Sequence, residues 1–254
     1  MTLFISPPFG NYIDLPYTKS IIGSFTLKNR PGLFSQIYKT LHYSHKYGGW
    51  VNKIGLRNPG IDWAISKYND KTIFNFYKSN IISISILDVS EIDKLVEKIP
   101  NDMNIELNIS CPNVRYTTDT NTDKKTIESE LYKFIDKNRE WCCIKLSCNT
   151  NLSTIDNLYK QGFRKFHCSN TLPVSIGGVS GPILIPYTTK LIQNIKSKYP
   201  DCEVVAGGGI RDIETLKYYK KLGADHFSIS TLLFNPMLFV IFYFKYLKYN
   251  KYTK

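Results

Sequence analysis

The sequence contains no CxxC pair, few histidines and no apolar run of membrane-spanning length. Its cysteines, Cys111, Cys142, Cys143, Cys148, Cys168 and Cys202, are accompanied by four histidines. Zinc sites need thiolates or imidazoles paired at short, set spacings, so no metal site is expected. Buried reduced thiols are the reading for every cysteine but Cys111. The longest apolar stretch, Met237 to Phe244, falls far short of the ~20 residues a spanning helix needs. No N-terminal stretch joins a basic start to an apolar core, so a cytoplasmic chain without signal peptide or membrane partner is expected. Arginine is scarce as well, supplying six of the 33 basic residues. A net charge of +12 and a pI near 9.3 attract polyanions in principle. No Lys/Arg cluster marks a groove or stripe, however, and nucleic acid is not the expected partner.

What the chain does have is alternation. Strand-like runs are read at Leu3–Ser6, Tyr17–Ile21, Ile81–Leu87, Asn104–Ser110, Cys143–Ser147, Lys165–Ser169, Glu203–Ala206 and His226–Ser230. Several are apolar on both faces, as parallel strands under helices must be. Helical periodicity fills Glu91–Ile99, Lys125–Asn138, Thr154–Gln161, Thr188–Lys198, Ile213–Leu222 and Pro236–Lys248. The pattern predicts an α/β fold, a (β/α)8 TIM barrel, as one domain over residues 1–254, since no repeat or linker divides the chain. Two departures stand out. Only about ten residues separate the first two strands, fewer than a crossover helix needs, so the first helix is expected to be reduced or missing. Between the second and third strands lies an insertion, Ile22–Asn80, with a helix-like stretch near Leu33–His45. The tail Met237–Lys254 has two readings, a helix lying on a membrane surface or the barrel's eighth helix; the barrel needs the helix. The shortened first unit also suggests apolar surface covered by a second copy, and a homodimer is expected.

Reactive groups of such barrels sit at the C-terminal ends of the strands. There the sequence places Asn108-Ile109-Ser110-Cys111-Pro112-Asn113, Lys145, Asn170-Thr171 and Gly207-Gly208-Gly209. Amides and hydroxyls at strand mouths can orient a small polar ring. A lysine beside them can stabilise negative charge on a reduced flavin, and glycines leading into a helix let backbone N–H groups approach a phosphate. Taken singly, each has a plainer reading: a tight turn for the glycines, loop capping for Asn108 and Asn170, a structural lysine for Lys145. Their convergence on one barrel mouth points to a site.

The segment Glu106–Asn113 resembles the signature of dihydroorotate dehydrogenases, flavin mononucleotide (FMN) barrels of pyrimidine synthesis. The resemblance extends through Asn52–Asp62 (Asn-x-Ile-Gly-Leu-x-Asn-Pro-Gly), Lys19 in Thr18-Lys19-Ser20, Asn170-Thr171, Gly177–Pro182 and the glycine triplet. It implies that Asn52, Asn108, Asn113, Asn170, Thr171 and the backbone of Ile54, Gly55 and Leu56 bind a small-molecule pyrimidine substrate. Lys19, Ser20, Asn108 and Lys145 would contact the flavin, and Gly181, Gly208, Gly209, Ser230 and Thr231 its phosphate. Cys111 resembles the base of the soluble, cysteine-using class, with Lys145 as the second catalytic group. The family usually has glycine where Ser230 stands, and its hydroxyl is expected to act as a donor. Ser6-Pro7-Pro8-Phe9-Gly10 occupies the place of the family's first-strand flavin contact.

The chemistry implied is oxidation of a dihydropyrimidine: a proton leaves one carbon for the base and a hydride leaves its neighbour for the flavin. A free thiol has a pKa of ~8.5, so activity should rise toward alkaline pH. The polar stretch Tyr116–Lys125 is read as a lid or a surface loop. The alternatives are a flavin barrel reducing uridine in RNA, as tRNA-dihydrouridine synthases do, and a barrel that has lost catalysis and serves as a binding protein. The electron acceptor leaves no mark on the sequence.

Overall fold

The computed structural model describes residues 1–70, 76–109 and 126–252. All eight expected strands form, and they close a parallel barrel: Leu3–Ile5, Thr18–Phe25, Ile81–Ile84, Ile105–Asn108, Cys142–Lys145, Lys165–Cys168, Glu203–Gly207 and His226–Ile229. They are called first to eighth below. Closure comes from the first strand pairing with the eighth, Leu3 opposite Phe227.

The period of two along a strand divides the side chains between two surroundings. Leu3, Ile82, Ile84, Ile105, Leu107 and Phe227 face outward into one apolar cluster shared with the helices. Phe4, Ile21, Ile81 and Val205 form a separate small cluster against Trp141, inside the barrel. Above it the inward positions turn polar: Ser83, Glu106, Asn108 and His167 are buried there. The interior is thus apolar low in the barrel and hydrogen-bonded near the strand mouths.

The helices start where capping residues allow. Asn151 accepts the Thr154 N–H at 2.8 Å and starts helix Leu152–Lys160. Asp212 does the same for Thr215 at 2.8 Å and starts Ile213–Lys221. Helix Ile185–Lys198 begins three residues before the expected Thr188, with proline in its first turn, where a missing N–H costs nothing. The helix expected over Lys125–Asn138 is cut short. Helical residues 126–130 pass into a 3-10 turn, Leu131–Phe134, and Ile135 is already extended. Arg139 explains the stop: its guanidinium donates to the carbonyls of Phe134, Met103 and Pro100 at 2.6, 2.7 and 3.0 Å.

The first crossover is a three-residue 3-10 turn, Phe9–Asn11, as its length requires. The C-terminal segment is the last barrel helix, Pro236–Tyr252. It buries Phe242 and Tyr246, and its Tyr243 and Tyr246 hydroxyls donate to Pro16 and Tyr17 carbonyls at 2.6 and 3.4 Å. It therefore braces the short first connection. No helix among the described residues is long and apolar enough to cross a membrane.

The long insertion holds more structure than its sequence suggested. Helix Leu33–Thr40 stops five residues before His45, because His42–Ser44 pairs antiparallel with Gly49–Asn52. That hairpin joins a second one, Leu172–Val174 with Gly177–Ser180, into a four-stranded sheet. Gly178 lies opposite Asn52, so the sheet carries Asn52 to the side of the barrel that holds Asn170 and Thr171. Gly177 is required there: its φ is +140°, and a Cβ would fall 2.4 Å from the Asn52 carbonyl oxygen. A further helix, Ile61–Asn69, follows. Gly60, Asp62 in the first turn and buried Ile61 and Ala64 are its signals, hidden in the sequence by the loop motif running into it.

Candidate active site

Asn52, Ile54, Gly55, Leu56, Asn108, Lys145, Asn170 and Thr171 all line a single cavity of about 450 Å³ at the strand mouths. Gly181, Gly208, Gly209, Ser230 and Thr231 line an adjoining one of about 90 Å³. The two share Pro7, Lys145, Asn170 and Thr171, so the larger space adjoins a narrow one lined by Gly181 and Gly207–Gly209. Cys111 and Asn113 lie outside the described residues, as does the stretch Tyr116–Lys125.

Lys19 and Ser20 do not reach the site. The second strand runs five residues past Ser20, to Phe25, so Thr18–Ser20 is its start and not its mouth. Lys19 is exposed, and the Ser20 hydroxyl donates to the Ile13 carbonyl at 2.7 Å. At the mouth stand Gly23 and Ser24, which do line the large cavity.

A hydrogen-bond relay crosses the cavity floor. Asn170 Nδ2 donates to Asn108 Oδ1 at 3.1 Å, and Asn108 Nδ2 donates to Ser24 Oγ at 2.9 Å. Ser24 Oγ lies 2.8 Å from Ser83 Oγ, and Ser83 donates to Glu106 Oε1 at 3.1 Å. Since the single hydrogen of Ser83 goes to the Glu106 carboxylate, Ser24 must donate to Ser83, and the relay runs one way, onto the carboxylate. Glu106 also receives His167 Nδ1 on Oε2 at 2.6 Å and has Lys145 Nζ 3.7 Å from Oε1. Burial by itself would raise the Glu106 carboxyl, but Lys145, then His167 and Ser83, hold it at about 2. Burial lowers the His167 pKa against the pull of Glu106. Glu106 is therefore held as a carboxylate and His167 as a neutral imidazole.

The substrate-side loop is pinned from outside the predicted set. Gly55 and Leu56 take φ of +70° and +56°, and a leucine in that region is strained. Asn58 holds the turn: its Oδ1 accepts from Thr26 and Gly60 amides at 3.1 and 2.9 Å, and its Nδ2 donates to Thr26 Oγ1 and the Leu56 carbonyl at 2.9 and 2.7 Å. Arg30 donates twice to the Gly55 carbonyl, at 3.3 and 3.2 Å. Asn58 sits inside the loop motif, a signal that sequence reasoning passed over. Arg30 and Thr26 gave none.

The narrow cavity fits a phosphate. Gly208 and Gly209 have φ of +87° and +84°, and a Cβ on Gly209 would lie 2.5 Å from Ile185 Cγ1. Thr188 Oγ1 donates to the Gly207 carbonyl at 2.8 Å and Tyr219 to the Gly208 carbonyl at 2.9 Å, turning those oxygens into the protein. Among the described residues the Gly208 and Gly209 amides have no acceptor, which leaves N–H donors for an anion. Ser230 contributes differently than expected: its hydroxyl donates to the Pro7 carbonyl at 2.9 Å, so its hydrogen is already committed. The remaining described cysteines are free thiols. Burial pushes Cys142 and Cys202 to about 11 and raises Cys143, Cys148 and Cys168; none is poised as a base.

A parallel barrel whose mouth joins an amide-lined cavity to a glycine cradle for an anion defines a cofactor-using barrel enzyme. A sequence model of the family described as "Dihydroorotate dehydrogenase" matches residues 9–240, and the chain belongs to that family, whose members are flavin-dependent oxidoreductases. It is 27% identical to the catalytic subunit of dihydroorotate dehydrogenase B (NAD(+)) of Alkaliphilus metalliredigens, over 90% of this chain and 80% of that one. It is 26% identical to the same subunit of Staphylococcus carnosus, over 91% and 81%. In fold it is similar to the crystal structure of DHODH in complex with ferulenol from Eimeria tenella, with a TM-score of 0.69, 15% identity, and 93% and 77% of the two chains covered.

Proposed function

We propose that the chain oxidises dihydroorotate, or a closely related dihydropyrimidine, to the pyrimidine, with FMN as its cofactor. The carrying observation is the convergence of Asn52, Asn108, Asn170 and Thr171 on a cavity that continues into the glycine cradle. Bound FMN would supply the hydride acceptor. The amides of the Gly208–Gly209 turn and Thr231 would hold its phosphate, and Lys145, lining both cavities, would lie against its ring. The asparagines offer donors and acceptors matched to the alternating N–H and C=O edge of a pyrimidinedione. The pinned backbone at Ile54–Leu56 suits its carboxylate.

Cys111 is the proposed base. It would stand just beyond the fourth strand, whose last residue, Asn108, faces the cavity, and its thiolate would take the ring proton. Without a group that lowers the thiol pKa, the rate climbs with pH toward ~8.5. Family membership favours a free pyrimidine over uridine in RNA.

The test is anaerobic. The purified protein should carry or take up FMN, and dihydroorotate should bleach its visible flavin band. A protein that binds no flavin, or a bound flavin that dihydroorotate leaves oxidised, refutes the reading.

A further inference from the structure

His167 lies in the barrel interior on the sixth strand, 2% exposed. Its ring is fixed at one end by the Glu106 carboxylate, 2.6 Å from Nδ1. An ionised carboxylate only accepts, so Nδ1 carries the proton and donates. In the neutral imidazole the other nitrogen, Nε2, then has a bare lone pair. That lone pair has no hydrogen-bond partner among the described residues. The Ser6 and Ser228 hydroxyls, which line the same narrow cavity, bond each other at 2.5 Å. The ring edge faces Gly207, where a Cβ would fall 2.5 Å from Nε2, so only glycine leaves the histidine room.

Among the described residues the only fully enclosed side-chain nitrogen or oxygen without a partner is Arg57 Nε, so the unbonded Nε2 keeps surface open to the cavity, where a ligand hydroxyl can reach it. His167 lines the narrow cavity together with Lys145, Ser6 and Ser228. Lys145 also lines the large cavity, so this floor is where the two spaces join. A flavin mononucleotide has a ring at one end, a phosphate at the other and a chain of hydroxyls between. With the ring in the large cavity and the phosphate on the glycines, the hydroxyl chain must cross the junction.

Building on the proposed flavin function, we infer that His167 is a cofactor-binding residue: held by Glu106 through Nδ1, it accepts a hydrogen bond at Nε2 from a hydroxyl of the flavin's ribityl chain. Glu106 is then a positioning residue, fixing the tautomer that makes Nε2 an acceptor. A protonated imidazole would present N–H instead. The Lys145 ammonium 3.7 Å from the same carboxylate and the burial of the site disfavour that second positive charge.

The experiment titrates the wild-type protein with FMN and with three analogues, each lacking one ribityl hydroxyl, and follows flavin fluorescence. One analogue should bind about tenfold more weakly than FMN, the loss of one buried hydrogen bond. His167→Phe should bind FMN about tenfold more weakly and show no such discrimination. The analogue series on the wild type needs no variant, so a misfolded His167→Phe leaves the test intact. Wild type that binds FMN and all three analogues within twofold of one another overturns the assignment while sparing the flavin function. So does a folded His167→Phe that keeps the discrimination. Wild type that binds no flavin overturns both.

Discussion

Asn58 offers a stringent test of how the substrate loop is held. It is 8% exposed and its side chain makes four hydrogen bonds, two accepted from the amides of Thr26 and Gly60 and two donated to Thr26 Oγ1 and the Leu56 carbonyl. Asn58→Ala removes all four and leaves two buried amides without acceptors. Each such orphan costs about 1–3 kcal/mol, so a loss of about 2–6 kcal/mol is expected. That is a large share of the ~5–15 kcal/mol that keeps a domain folded. Asn58→Asp keeps the oxygen that serves the two amides but sets a carboxylate against the Leu56 carbonyl, so its loss should be smaller. The same change frees Leu56 from φ +56°, and the backbone amides proposed to meet the substrate carboxylate should drift. We expect KM for dihydroorotate to rise by at least about tenfold in both variants, with FMN affinity unchanged. Urea unfolding followed by far-UV circular dichroism gives the first quantity and steady-state kinetics the second. An Asn58→Ala loss below about 1 kcal/mol together with an unchanged KM would refute the idea that Asn58 shapes this loop.

Further consequences follow from other parts of the site. Cys111→Ala should retain FMN and lose roughly 10²–10⁴-fold in the rate of flavin reduction by dihydroorotate, the range for a general base; a near-normal rate in stopped flow removes Cys111 from the chemistry. Gly209→Ala, which sets a methyl group 2.5 Å from Ile185 Cγ1 at φ +84°, should weaken FMN binding by at least about tenfold; equal affinity by fluorescence titration would mean the phosphate lies elsewhere. Glu106 has a folded pKa of about 2, below its ordinary 4.5, so it stabilises the fold above pH 4.5 and that contribution is lost as pH falls toward 2. Glu106→Gln should therefore be less stable than wild type at neutral pH, with the difference in Tm shrinking over that window. A constant difference from pH 6 to pH 2 would contradict the charged network.

The barrel was legible because a parallel strand buried on both faces reads as a nearly unbroken apolar run. Ile81–Ile84 is fully buried and apolar except for Ser83. What stayed hidden depends on partners remote in sequence. The antiparallel sheet pairs Gly49–Asn52 with Gly177–Ser180, more than a hundred residues away, and Gly177 reads as an ordinary turn glycine until Asn52 is set against it. His167 and Glu106 lie on different strands and read as one charged and one half-polar residue in otherwise apolar runs. Only closure of the barrel brings Nδ1 to 2.6 Å from the carboxylate. Asn52, Asn108 and Asn170 were legible because they stand in local motifs at strand mouths and the loop. Arg30, Thr26 and Ser24 carry no such label.

The misplacement of Lys19 has a chemical consequence. A three-residue motif matched the start of an eight-residue strand, and because that strand continues to Phe25 the motif falls at the wrong end of the barrel. In its place Gly23 and Ser24 line the mouth, bringing a hydroxyl and no charge. Lys145 is then the only lysine among the described residues that line the two cavities, and its ammonium is shared with Glu106 at 3.7 Å. The relay from Asn170 through Asn108, Ser24 and Ser83 ends on that same carboxylate. Each donor added to Glu106 draws its charge away from Lys145, so the ammonium is left freer to act on whatever lies above it. Under the proposed function, the work that a second lysine at the mouth would have done falls to Lys145.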